Sequence, residues 1–229
     1  MVCVSDLWVT QLGLVPYDEG LALQEDLRER RRAGEIGDLL LVLEHPPVYT
    51  LGKRTQPADL PLGEDAYRAR GIDVLPTDRG GRVTYHGPGQ LVAYPIMAVE
   101  RVADFVHTME EAIVASLADE GIAAEVRETP LTGVWTGGAK IASIGVRVSG
   151  GVSTHGLAVN VDNDLEPFGW IVPCGIDSVR MTSVSLETGR AGSLPCFRRR
   201  LAYRFAGAFG RRQRLVSARR LLEREVVAA

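Results

Sequence analysis

Three short segments carry residue types that core packing does not ask for. Pro173-Cys174-Gly175 puts a thiol on a constrained turn between proline and glycine, where its sulfur can face a cleft. Most free cysteines are small buried hydrophobes, and Cys3 and Cys196, which lack such a setting, read that way. Lys140 opens the run Lys140 to Val146. Of the 26 basic residues in the chain only Lys53 and Lys140 are lysine. Arginine cannot surrender its proton inside a protein and lysine can, so a surviving lysine in an arginine-biased chain marks a place where that difference counts. The third segment runs from Arg79 to Gln90. Gly80 and Gly81 let a backbone approach a ligand closely, and Arg79 can hold an anionic or carbonyl oxygen. No Gly-Lys-Ser/Thr follows, so it is not a phosphate-binding loop of the P-loop type. A thiol needs a nearby cation or base to become a thiolate near neutrality. Cys174, Lys140 and a set of oxyanion donors together make a complete kit for acyl transfer through a thioester. His86 and His155 could serve as the base instead, and spacing alone leaves that choice open.

These residues need elements to hold them. Residues 17 to 33 have the apolar spacing of an amphipathic helix, with Leu21, Leu23 and Leu27 among acidic and basic residues and a stop near Gly34. Leu39 to Leu43 reads as a buried strand ended by His45-Pro46-Pro47, and Val48 to Leu51 as a second one. Residues 52 to 72 read as a polar surface excursion. Gly80 to Pro95 reads as strand, Gly-Pro-Gly turn, strand. A helix follows, with Asp104 as its expected N-cap, Phe105, Met109, Ile113 and Leu117 on one face, and Gly121 as its stop. Strands are expected at 122–127, 132–136, 140–148 and 152–161, broken by the Gly137-Gly138 and Gly150-Gly151 turns. Simple alternation would put Lys140, Ala142 and Ile144 on one face and Ile141, Ser143 and Gly145 on the other. Residues 197–229 are expected to form an arginine-rich helical region, read as a solvated face or as a docking surface for an acidic partner. Strands in hairpin order with separate helices point to a single α+β domain across 1–229 rather than a parallel nucleotide-binding sheet.

Bulk properties exclude several classes. With 229 residues, 45% hydrophobic and 24% charged, the chain is of ordinary globular composition, and a net charge of −3 gives no case for nucleic acid or membrane surfaces. No apolar run reaches the roughly 20 residues of a membrane span, and Met1 to Trp8 lacks the pattern of a signal peptide. A cytoplasmic location is the expectation. The three cysteines fit neither a disulfide framework nor a zinc site, so no metal is expected.

In their order along the chain, RGGRVTYHGPGQL, KIASIGV, THGLAVN and PCGI resemble the signature blocks of lipoyl(octanoyl) transferases, the octanoyl-acyl-carrier-protein:protein octanoyltransferases. QLGLVPYDEGLALQEDL and LLVLEHPPVYTLGKRT look like the same family's N-terminal half, so the resemblance spans roughly residues 8 to 190. It implies the catalytic-domain fold shared with lipoate and biotin protein ligases. It implies an octanoyl or lipoyl group moved from acyl carrier protein to a lysine of the lipoyl domains of 2-oxoacid dehydrogenases and of the glycine-cleavage H protein, the first step of endogenous protein lipoylation, with no cofactor. Cys174 falls on the family's nucleophile and Lys140 on its conserved lysine. The acyl-binding blocks fall on Arg79, Gly80, Gly81, Arg82, Val83, Thr84, Tyr85 and His86, on Ser143, Ile144 and Gly145, and on Gly156, Leu157 and Ala158 next to His155. The 178–189 stretch is looser than the usual block. An ATP-dependent ligase, a thioesterase and a non-catalytic carrier-binding protein are the rival readings. Cys174 in its turn speaks against the ligase, which needs no nucleophilic thiol.

Overall fold

The computed structural model describes residues 5–127, 132–172 and 179–222. Its frame is an eight-stranded mixed sheet. Strands β1 (Asp6–Leu14), β2 (Leu39–Glu44), β6 (Gln90–Ile96), β7 (Glu125–Arg127), β8 (Gly133–Thr136), β9 (Ala139–Ser149), β10 (Val152–Asn160) and β11 (Arg212–Leu215) lie in the order β11-β1-β2-β6-β10-β9-β8-β7. A smaller sheet holds β3 (Val48–Leu51), β4 (Asp73–Pro76) and β5 (Val83–His86) in the order β4-β3-β5. The helices are α1 (Tyr17–Arg32), α2 (Glu64–Arg68), α3 (Val102–Ala118), α4 (Val184–Thr188), α5 (Leu194–Ala208) and α6 (Ala218–Leu222).

The run Leu39-Leu40-Leu41-Val42-Leu43 is continuously apolar because both of its faces are covered. Leu39, Leu41 and Leu43 join Leu27 of α1, with Val92, Tyr94 and Ile96 of β6. Leu40 and Val42 join Leu91 and Ala93 on the other face, against Met109 and Ile113 of α3 and Phe197, Leu201 and Phe205 of α5. The expected α+β class is what is found.

Several expectations need correction in detail. β5 and β6 are not a hairpin: β5 pairs with β3 in the small sheet, while β6 pairs with β2 and β10, so Gly87-Pro88-Gly89 carries the chain from one sheet to the other. The excursion at 52–72 holds a 3₁₀ turn (Pro57–Asp59) and α2, and it buries Asp59 and Tyr67. Helix α3 starts at Val102 with Arg101 as N-cap, which puts Asp104 inside the first turn. The expected strand 122–127 shrinks to Glu125–Arg127. The arginine-rich region is not wholly helical, because β11 runs parallel to β1 between α5 and α6. Arginines before and within α5 also tie this part of the chain to the end of α3. Arg190 and Arg200 both reach Glu120, and Arg204 holds Asp119 at 2.6 Å.

Pro95 sits in β6 at the centre of the large sheet, where it has no N–H to give. The regular β6–β10 ladder covers Gln90–Ala93 against Asn160–Leu157. Beyond it the Ser153 hydroxyl takes over, donating to Pro95 O at 2.7 Å and accepting from Met97 N at 3.1 Å. In this interruption His155 adopts φ 57°, the one described non-glycine residue at positive φ. Its backbone N–H turns to Gln24 Oε1 of α1 at 2.6 Å.

Candidate active site

The sheets and their connecting loop enclose a cavity of about 480 Å³, an ordinary size for a small-ligand site. One part of its wall is apolar, from Val83, Val106, Ile144, Val146, Leu157 and Ala158. The rest is polar, with Lys140, Arg79, Arg82, His86, His155, Tyr17 and Tyr94. Gly145 and Gly156 face each other across β9 and β10. A side chain at Gly145 would meet Gly80 O at 3.0 Å, so its absence lets the Arg79–Gly81 loop lie on β9, where Gly80 N donates to Val146 O at 3.2 Å. All of the residues singled out from the sequence, except two, line this one cavity. Tyr85 is the first exception. Strand alternation turns it to the opposite face of β5, where it packs edge-on against Phe168 with ring centres 5.4 Å apart. Cys174 is the second, because it lies outside the described residues.

Lys140 is almost fully buried, and its Nζ donates to Thr132 O at 2.8 Å. Its strand does not follow simple alternation. Trp135 pairs with Lys140 and Val134 with Ala142, so Ile141 is an extra residue in the β8–β9 ladder. Ile141 and Ala142 then both enter the core, and Lys140 is released from the face of Ala142 and Ile144. The chain on either side of residues 173–178 is tied to the cavity rim. Val172 N donates to Asp59 O at 3.0 Å. On the far side Lys140 N donates to Arg180 O at 2.8 Å, and Thr182 N donates to Lys140 O at 3.0 Å.

Arg79 does not stand open as an anion clamp. Its Nε and Nη2 bond Thr50 at 2.6–3.2 Å and its Nη1 bonds Gly80 O at 3.0 Å, so it braces the loop against β3. Arg82 pairs with buried Asp59, Nε to Oδ2 at 2.9 Å. Among the described residues lining the cavity none carries a carboxylate. Burial, with a smaller push from the charges of His45 and Arg79, drives His86 down to about 3. Burial likewise drives His45 down to about 4, against its bond to Val15 O. Burial also lowers His155, although Asp78 at 2.8 Å opposes it. Asp78 is itself raised by desolvation, but the bond from His155 and the Arg147 charge hold it below the usual carboxylate range.

Sequence reasoning missed Tyr17, Arg54, Gln56, Tyr94 and Thr132 on the cavity wall, and Gln90, Asn160 and Asp78 behind it. The signal for Gln90 and Asn160 was available: each is a polar residue at the end of a strand, beside a run of apolar or small residues, Leu91 to Ala93 and Gly156 to Val159. Among the described residues no group of three His, Cys, Asp or Glu side chains is placed to hold a metal ion, and no helix is long and apolar enough to cross a membrane.

Comparison with known proteins agrees with this frame. The lipoyl protein ligase A/B catalytic-domain family matches residues 16–206. An octanoyltransferase of Chloroflexus aggregans is 47% identical over 192 residues, covering 81% of this chain and 86% of the relative. One of Rubrobacter xylanophilus is 45% identical over 204 residues, covering 86% and 91%. Among solved structures, a bi-partite lipoate protein ligase from Thermoplasma acidophilum superposes with TM-score 0.73 at 19% identity, covering 98% of this chain and 94% of its own. Lipoate-protein ligase A bound with ATP superposes with TM-score 0.71 at 18% identity, covering 99% and 97%. With its cavity built from the matched segments and its relatives nearly half identical over most of their length, the chain belongs to the lipoyl protein ligase A/B catalytic-domain family.

Proposed function

We propose that this chain is an octanoyltransferase that carries an octanoyl group as a thioester on Cys174 and passes it from acyl carrier protein to a lysine of lipoyl domains. The observation that carries the reading is the anchoring of both flanks of the Cys174 segment on the cavity rim, one at the partner of Arg82 and the other on the backbone of Lys140. The octanoyltransferase relatives, at 45–47% identity, support the choice of reaction.

In this reading Lys140 takes the Cys174 proton. The thiolate attacks the donor thioester, forming a new C–S bond as the carrier C–S bond breaks. The departing carrier thiolate is protonated from Lys140. The target amine then attacks octanoyl-Cys174. A C–N bond forms, the nitrogen gives its excess proton to Lys140, and the cysteine thiolate leaves. Both tetrahedral intermediates carry an oxyanion, and one well-placed backbone donor is worth about 3–4 kcal/mol to such a species. A thioester is more reactive than the amide product, so the sequence runs downhill without ATP. The apolar wall gains about 0.8 kcal/mol per buried CH₂, or roughly 5 kcal/mol for an octanoyl tail. The rival ligase reading shares this fold but requires ATP.

Intact-protein mass spectrometry after incubation with octanoyl-acyl carrier protein, without ATP, tests this directly. A mass increase of one octanoyl group on the wild type is expected, absent in Cys174→Ala and discharged by added lipoyl domain. Transfer that persists in Cys174→Ala would remove the thioester route.

A further inference from the structure

Behind His86 runs a chain of amides whose orientation the hydrogen bonds settle one after another. Asn160 Nδ2 donates to the Thr182 carbonyl at 3.1 Å, which leaves Asn160 Oδ1 as an acceptor. Gln90 Nε2 donates to that oxygen at 2.9 Å and to the Tyr85 carbonyl at 3.1 Å. Gln90 Oε1 therefore faces His86 Nδ1, 2.6 Å away, and His86 must carry its proton on Nδ1. With burial holding the ring neutral, Nε2 keeps a bare lone pair. His86 is 6% exposed, it lines the cavity, and Nε2 accepts no bond from any described residue. The neighbouring His45 is different. Its Nδ1 donates to the Val15 carbonyl at 2.7 Å, and its Nε2 is filled by the Tyr94 hydroxyl at 2.7 Å.

The rest of the polar wall offers mostly donors. Arg79 and Arg82 have only N–H groups to give, and Lys140 already donates to Thr132 O at 2.8 Å. His155 Nε2 is engaged with Asp78, and Gln56 Oε1 takes a bond from Arg82 at 3.3 Å. A ligand atom that must present an N–H finds in His86 Nε2 a neutral ring acceptor whose direction the amides behind it fix, while His155, donating from Nε2 to Asp78, has Nδ1 as the other ring acceptor. At its reacting end an acyl thioester has only a carbonyl oxygen and a sulfur, both acceptors. The attacking amine, by contrast, has N–H bonds to place.

We propose that His86 Nε2 is the acceptor that holds the incoming lysine amine, and that Gln90 and Asn160 are positioning residues that keep its lone pair aimed into the cavity. His86 takes no proton in this role. It receives one N–H of the neutral amine, which leaves the nitrogen lone pair directed at the acyl carbon, and the proton shed after C–N bond formation goes to Lys140. The bond strengthens as the nitrogen becomes positive, so it favours the second half-reaction alone. The proposal rests on the octanoyltransferase reading above.

The two half-reactions test it separately. Octanoylation of the chain by octanoyl-acyl carrier protein and discharge to a lipoyl domain are each followed by intact mass in single turnovers. His86→Phe keeps an aromatic ring and removes the lone pair. Discharge should slow about tenfold to a hundredfold more than octanoylation does, the usual worth of one hydrogen bond to a group that becomes charged. His86→Gln, which returns an amide oxygen, should recover part of the loss. A second readout needs no variant. Long-range ¹⁵N–¹H NMR of the wild type should find His86 as the Nδ1–H tautomer, with its Nε2 resonance moving when butylamine is added. Equal slowing of both half-reactions, slowing of octanoylation alone (the ring then serving an amide of the carrier's arm), an unaffected discharge or the other tautomer would each overturn the role of His86. A wild type that forms no octanoyl-enzyme would overturn the thioester route and this role with it.

Discussion

Gly133 is the residue on which the placement of Lys140 turns. It has φ +134°, where a side chain is strained whatever the space around it. A Cβ built there would lie 2.6 Å from Lys140 Cε, 2.7 Å from Ala142 O and 3.2 Å from Lys140 Nζ. The carbonyl belongs to the β8–β9 pairing and cannot step aside. The lysine stem is buried and held by Thr132 O, so it yields only by giving up that bond. Gly133→Ala should therefore cost about 1–3 kcal/mol in backbone strain and about as much again in overpacking. At roughly 2–4 °C per kcal/mol for a chain of this length, the melting temperature should fall by about 4–24 °C. Pushing Nζ by about an ångström should also lower turnover on the order of a hundredfold when assayed well below the melting transition. Gly138→Ala is the matched control. Its φ is +77°, but its Cβ would have nothing within 4 Å, so it tests strain without the clash. The assay pairs a thermal melt with octanoyl transfer from octanoyl-acyl carrier protein to a lipoyl domain. If Gly133→Ala loses no more stability and no more turnover than Gly138→Ala, the clash with Lys140 is not real and the reasoning fails.

Other outcomes follow from the same geometry. Lys140→Arg retains a positive charge but cannot exchange a proton, so turnover should fall about 10²- to 10⁴-fold, and near-normal turnover would mean the lysine contributes charge alone. His45 and His86 bind protons near pH 6.5 when unfolded but only near 4 and 3 when folded, so their effect is absent above pH 6.5 and stability is lost as pH falls below it. At pH 5 the loss should be about 2 kcal/mol for each ring, measured by urea unfolding at pH 7.5 and pH 5, and a flat profile would refute their neutral burial. Glu120, whose side chain is 9% exposed and receives both Arg190 and Arg200, should cost about 1–2 kcal/mol when changed to Gln, read as a melting shift that added salt diminishes.

How far the sequence could be read depended on what each segment is packed against. Strand β2 and helices α1 and α3 were legible because their apolar periods answer to cores on known sides. Strand β11, Arg212-Gln213-Arg214-Leu215, was not, since it is an edge strand with mostly exposed side chains, held by backbone pairing with β1 and by Arg212 and Arg214 on Asp6. Tyr85 falls outside the cavity lining although it belongs to a contiguous block, because a strand sends neighbouring residues to opposite faces. Lys140 stood out by scarcity, but its direction depends on the extra residue at Ile141, a pairing property that no local pattern displays. The polar support of the cavity was dispersed over residues 24, 78, 90 and 160, which come together only when β6, β10, α1 and the 76–79 loop meet.

The parallel pairing of β11 with β1 also has a meaning for how the fold closes. Asp6 lies opposite Arg212, and the Thr10 hydroxyl donates to the carbonyl of Val216, 206 positions along the chain. Strand β1 therefore gains its β2 side from a nearby partner and its other side from a segment that follows it by 206 positions. Until residue 216 has emerged, that edge shows a row of unsatisfied backbone groups able to template a foreign strand. Contacts of such long sequence separation are slow to form, so completing this edge is expected to be a late event in folding. Aggregation of the nascent chain should then depend more on how long β1 waits than on the stability of the finished protein.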